Sequence, residues 1–159
     1  MTAETQQQTP LPRAGLFLED LAVGDRFDSA RHRVEAAAIK AFAGEFDPQP
    51  FHLDEEAARH SLFGGLAASG WHTAAITMRL LVTSGLPLAQ GIIGAGTELS
   101  WPNPTRPGDE LHVETTVLAI TPSKSRPDRA IVTCQSDTLN QRGEVVQRST
   151  AKVVVFRRP

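Results

Sequence analysis

The sequence predicts an α+β fold in which a curved antiparallel sheet wraps around one buried helix. Three observations carry that expectation. The stretch "GWHTAAITMRLLVTSGLP" (70–87) holds one formal charge, Arg79, between Trp71 and Thr83, and its apolar residues go nearly all the way round a helix. Such a helix is enclosed by other elements rather than laid on a surface. Everything after it reads as strand: "IIGAGTELSW", "DELHVETTVLAI", "RAIVTCQSDTLN" and "EVVQRSTAKVVVFR", broken by "PNPTRPG", "TPSKSRPD" and "NQRG". The last three runs follow one another through short connections, which implies antiparallel neighbours.

The elements follow in chain order. Residues 1–14 are rich in Gln, Thr and Pro, lack the apolar stretch of a signal peptide, and read as a disordered or extended tail. Residues 15–159 are of a length for one domain. The chain is extended from about Asp25. "EAAAIKAFAGEF" places Ala38, Ile39, Phe42 and Phe46 at helical spacing, predicting a helix from Glu35 to about Gly44. Pro48 and Pro50 then fix their own φ and push Asp47 and Gln49 towards extended geometry, so 47–52 is expected not to be helical. Asp54 is an N-cap for "EEAARH", with Glu55 and Glu56 in the favourable first turn. Ser69 caps the long helix, and Gly85 and Pro87 stop it. A continuous apolar helix must be surrounded, and only the sheet is large enough to do so. That arrangement is the hot-dog architecture, here a single copy because no internal repeat is visible.

Composition excludes several functions. Net charge is -2 and the basic clusters at 124–129 and 157–158 are short, so no nucleic-acid face is expected. The longest apolar runs are too interrupted to cross a bilayer, which points to a cytoplasmic protein. A single cysteine, Cys134, rules out an intrachain disulfide or a multi-cysteine zinc site. It sits in a strand-like run and reads as a buried, inert thiol. The five histidines show no metal-binding spacing, with His32, His60 and His112 assigned nothing. "GIIGAG" lacks the following helix that a nucleotide-binding loop requires. Neither a metal nor a cofactor is expected.

The segment "EFDPQPFHLD" (45–54) places Asp47 and His52 five positions apart on a proline-stiffened loop. The two side chains are either decoration on a turn or a preset acid/base pair. Taken with "FAGEFDPQPFHLDEEAA", "GLAASGW" and the strand pair containing "SKSRPD" and "NQRGEVV", the chain resembles the MaoC-like family of (R)-specific enoyl-CoA hydratases and dehydratases from about Gly24 to Val155. The family pattern D-x-N-P-x-H stands here as Asp47-Pro48-Gln49-Pro50-Phe51-His52, with Gln49 in place of the usual Asn. Gln bonds to nearby backbone less readily than Asn does.

The resemblance implies a cofactor-independent hydro-lyase of fatty acid metabolism, acting on an acyl-CoA thioester that itself carries the coenzyme. Asp47 and His52 would hold the water, acting as base and then as acid, and burial under an acyl chain would raise the Asp47 pKa. The Gly70 N–H, at the positive end of the long helix, would be the oxyanion donor, because a glycine lets a carbonyl approach closely. Such donors are worth roughly 3 kcal/mol or more in a barrier. Ser69, Trp71 and His72 stand at the helix entry as substrate-binding candidates, although capping explains Ser69 and packing explains His72 equally. Lys124 and Arg126 would meet coenzyme A phosphates, or else form a solvated hairpin tip. A homodimer, or a higher assembly of dimers, is also implied. Two rival readings stay open. A hot-dog thioesterase would want an acid near the helix, and "GWHTAAITM" has none. A diverged acyl-CoA-binding or partner subunit would need no catalytic pair.

Overall fold

In a computed structural model, residues 15–159 are described; the expected tail, 1–14, lies outside the described residues. A 3₁₀ turn at Leu18–Asp20 leads into two short strands, β1 (Arg26–Asp28) and β2 (His32–Arg33). Helix α1 spans Ala36–Phe46 with Glu35 as N-cap, and ends where Asp47 leaves helical geometry ahead of Pro48.

The expectation that 47–52 would contain no helix is corrected. Pro50–Leu53 form a one-turn helix, α2, with Pro50 in its first turn. Proline is well placed there, since its missing N–H would have had no helical partner and its fixed φ already suits the helix. Helix α3 (Glu55–Arg59) starts as expected, the Asp54 carboxylate accepting the Ala57 N–H at 2.8 Å. Helix α4 spans Gly70–Leu80 and runs on through a π-helical turn, Leu81–Gly85.

Strands β3 (Ile93–Ser100), β4 (Glu110–Pro122), β5 (Arg129–Leu139) and β6 (Val145–Phe156) lie within a residue or two of the four runs. The sheet order is β1-β4-β5-β6-β3, with β2 also paired to β4, and all these pairs are antiparallel. The β4-β5-β6 meander is as expected. The β5–β6 hairpin turns at Gly143, whose φ of 75° disfavours a side chain, while the Asn140 side-chain oxygen Oδ1 accepts from the Arg142 and Glu144 N–H groups. Burial alternates strictly along β5, so one sheet face joins Val132 and Cys134 to a core that includes Ile39, Ile76, Leu80, Leu111 and Val113.

Two features depart from a fully enclosed helix. Helix α4 is covered on one side only: Ile76 and Leu80 face inwards with Thr73 and Thr77, while Trp71, Met78 and the following Val82 are 61%, 48% and 57% exposed. The inward threonines are bonded, Thr77 to Thr138 at 2.6 Å and Thr73 to Thr105 at 2.9 Å. Among the described residues, strand β3 pairs only with β6 and is exposed along most of its length on both faces. The alternation in β6 also breaks once. Val146 and Gln147 are both buried, where the pairing with β5 skips from Thr138–Gln147 to Leu139–Val145. One extra residue in a strand bends it and re-aims its side chains.

Candidate active site

Asp47 is the C-cap of α1 and His52 lies in α2, so the proline turn folds the two back on each other. The Asp47 carboxylate lies 3.3 Å from His52 Nε2, with side chains only 18% and 6% exposed. His52 is held from behind, its Nδ1 lying 2.7 Å from the Ala67 carbonyl oxygen. A carbonyl only accepts, so Nδ1 carries the proton and Nε2 faces Asp47. Phe51 meets the imidazole edge-on at 4.6 Å.

The Ala67 carbonyl is itself fixed by a framework that sequence reading missed. The Arg106 guanidinium donates to the carbonyls of Phe63, Gly65 and Leu66, and the Ala68 N–H reaches the Thr105 carbonyl at 2.9 Å. An arginine before Pro-Gly in a turn reads as solvent-facing, and nothing in its neighbourhood announces three carbonyls brought from forty residues upstream.

Asp47 receives the Gln49 amide N–H at 2.6 Å, and the Ser69 hydroxyl acts on it from the start of α4. Gln49 therefore bonds the catalytic candidate instead of the backbone. Burial alone would raise the Asp47 pKa, but the donors Ser69 and Gln49, with His52 beside them, outweigh it and hold the carboxyl below its ordinary value. Hydrogen bonds to the charged form favour it, and the upward shift expected under an acyl chain concerns the site with substrate in place.

At the start of α4, Ser69 Oγ accepts the Trp71 N–H and Ser69 O accepts the Thr73 N–H. Among the described residues no acceptor meets the Gly70 N–H, as befits the first residue of a helix. A side chain on Gly70 would collide with the Trp101 ring, 2.7–2.9 Å from an ideal Cβ. The close approach this glycine permits is made here by the Trp101 ring. His52, Gly70, Gln49, Thr73, Trp101 and Arg106 share the lining of one cavity of about 680 Å³.

The remaining candidates fall elsewhere. Trp71 lies on the exposed outer face, edge-on to Trp101 at 5.5 Å. His72 is buried and stacks on Phe42 at 4.8 Å, its Nδ1 without a partner, and it lines neither this cavity nor the apolar one described below. Burial, with a smaller effect from His32, holds its pKa below the usual histidine value. Lys124 and Arg126 sit exposed in the β4–β5 turn and do not line the cavity of His52. Cys134 is buried, and burial pushes its thiol up to about 11.

A hot-dog sheet around a central helix, with a shielded carboxylate–imidazole pair at that helix's start, defines the class. Within it, residues 20–138 match the model of the MaoC-like domain, and the chain belongs to that family. It is 35% identical over 143 residues to the uncharacterised protein YdeM of Bacillus subtilis, covering 88% of this chain and 99% of that one. A 3-hydroxybutyryl-CoA dehydratase of Methylorubrum extorquens is 28% identical over 138 residues, 86% of each chain. The R-hydratase PhaJ1 of Pseudomonas aeruginosa superposes with a TM-score of 0.75 at 26% identity, over 91% of this chain and 88% of that one.

Proposed function

We propose that this chain is a cytoplasmic enoyl-CoA hydratase, a hydro-lyase that reversibly adds water across a trans-2-enoyl-CoA to give a 3-hydroxyacyl-CoA. The observation that carries the reading is the Asp47–His52 pair, 3.3 Å apart and shielded from solvent. With Nδ1 protonated towards Ala67, a neutral His52 offers only a lone pair at Nε2, and the ionised Asp47 offers only lone pairs too. At 3.3 Å the two atoms leave no room for a water between them, but one seated beside the pair reaches both. A water molecule has two O–H groups, one for each.

In the forward direction that water's oxygen bonds to the β-carbon as the pair withdraws one of its protons. The electrons of the double bond move onto the thioester, and the charge on its oxygen is met by the Gly70 N–H and the positive end of α4. The withdrawn proton is then delivered to the α-carbon. The balance is one O–H bond of water and the π bond of the enoyl C=C broken, and one C–O and one C–H bond formed. A thioesterase reading is disfavoured because α4 carries no acid. The test is loss of the conjugated thioester absorbance on hydration of short, medium and branched enoyl-CoA substrates. Turnover by the wild type that disappears in Asp47→Asn and His52→Ala, with folding intact, is expected. Turnover surviving both substitutions would discard the pair, and an inert wild type would favour a binding subunit.

The same reading includes a homodimer. Among the described residues strand β3 is an open edge, and edges of that kind are normally paired or covered. Beside it lies the exposed apolar face of Trp71, Met78 and Val82, so a second copy of this chain is the occupant both features fit.

A further inference from the structure

A second cavity of about 480 Å³ lies behind α4, between it and strands β3, β5 and β6. Its lining is mostly apolar, with Met78, Leu81 and Leu86 at the helix and Cys134 and Val153 in the sheet. No residue lines both this cavity and the one containing His52. The division falls between near neighbours on three elements. Along α4 it separates Thr73 from Ala74, along β6 Val146 from Gln147, and at the end of β3 Leu99 from Trp101. One hydrogen bond crosses it: the Trp101 indole N–H donates to the Gln147 side-chain oxygen at 2.9 Å.

The break in the β6 alternation explains how this is possible. A regular strand would send Val146 and Gln147 to opposite faces. The extra residue turns both inwards, each into a different cavity, and leaves Gln147 only 1% exposed and bonded to the tryptophan. Trp101 is seated at its other side against Gly70, in the space a side chain would need. It therefore bridges the start of α4 and the sheet, with its outer side 41% exposed, at the point where a chain leaving the Gly70 end would pass to run along α4. From Gly70 to Leu81 is eleven steps along the helix, about 16 Å at 1.5 Å each.

We infer that the Trp101–Gln147 pair is the specificity-determining partition of this protein. It confines the acyl group of the substrate to the His52 cavity, so that short-chain thioesters are accepted and longer chains are excluded until Trp101 is displaced. The inference rests on the acyl-thioester reading of the site and adds to it the substrate class. The physical basis is that each methylene entering an apolar cavity is worth roughly fourfold in affinity, a gain that is unavailable while the indole bars the way.

The test is the ratio of affinities for butanoyl-CoA and decanoyl-CoA, by calorimetry on the full chain. These saturated thioesters need no turnover, so failure of the hydratase reading, seen as an inert wild type towards enoyl-CoA, is distinguishable from failure of the partition. Trp101→Ala is expected to shift the ratio towards decanoyl-CoA by about tenfold or more. Trp101→Phe, which keeps an aromatic ring but loses the N–H donor, and Gln147→Leu, which removes the acceptor, are expected to shift it the same way by less. They carry the test should Trp101→Ala fail to fold. A ratio unchanged in the folded variants overturns the inference, as does a wild type that already binds decanoyl-CoA more tightly by the full methylene increment.

Discussion

The two ends of α4 are built on different physical principles. Around Gly70 nearly every polar group is paired: Asp47 with Gln49, Ser69 and His52, His52 with Ala67, and Ser69 with the first turn of the helix. Around Leu81 the surroundings are apolar area, a cavity and an exposed apolar face that share Met78. Directional bonds fail in steps, because losing one atom leaves its partner unmatched. Apolar area fails by degrees. Under the proposed function, chemistry belongs to the first end, while substrate length and assembly belong to the second.

That contrast can be broken most severely at the polar end. Asp47→Asn and His52→Ala are each expected to lower hydration rates by about 10²–10⁴-fold, the range typical of a lost acid or base, with circular dichroism unchanged. A loss of only a few fold would mean that the pairing is structural. At the opposite end, Met78→Glu puts a charge in the middle of the outer face. Light scattering is expected to report a dimer for the wild type and a shift to monomer for the variant. A monomeric wild type would remove the reason for that apolar face.

Smaller effects sharpen the comparison where the helix meets the sheet. The Thr77 hydroxyl donates to the Thr73 carbonyl, so the Thr138 hydroxyl must be the donor in their 2.6 Å bond. Thr77→Val leaves that buried donor unmatched, and a loss of about 1–3 kcal/mol is expected. It would be read as a thermal midpoint lower by roughly 2–4 °C per kcal/mol, with Thr77→Ser largely retaining wild-type stability. The smallest effect is expected at His72, whose pKa is depressed by burial and by His32. The unfolded chain then binds more protons than the folded one just below the ordinary histidine value of about 6.5. Stability should therefore be fully present above that pH and fall as pH drops through it. His72→Phe, which keeps the stack on Phe42, should flatten that slope, and an identical slope would mean that another group titrates.

Much of this protein follows from local pattern. The four strand runs, the Asp54 and Ser69 caps and the stop near Gly85 depend on residues within a few positions of one another, which is the range over which periodicity and capping act. The acid and imidazole candidates were legible for the same reason, being five positions apart on a stiff turn. One local rule was misapplied: Pro50 starts a helical turn as readily as it stops a helix.

What tertiary structure decided concerns groups brought together from far apart. Arg106 reaches the carbonyls of the segment before α4, Trp101 fills the space above Gly70, and Gln147 meets Trp101 only because β6 carries an extra residue. The direction of the Asp47 shift also depended on donors, one of them Ser69, that sequence distance conceals. The sequence shows which residues are apolar in α4, but only the packed sheet determines which of them are covered. Its inward face carries bonded threonines while Trp71 and Met78 look outwards. Hydrophobicity is a property of each residue, whereas burial is a property of what else the chain places against it.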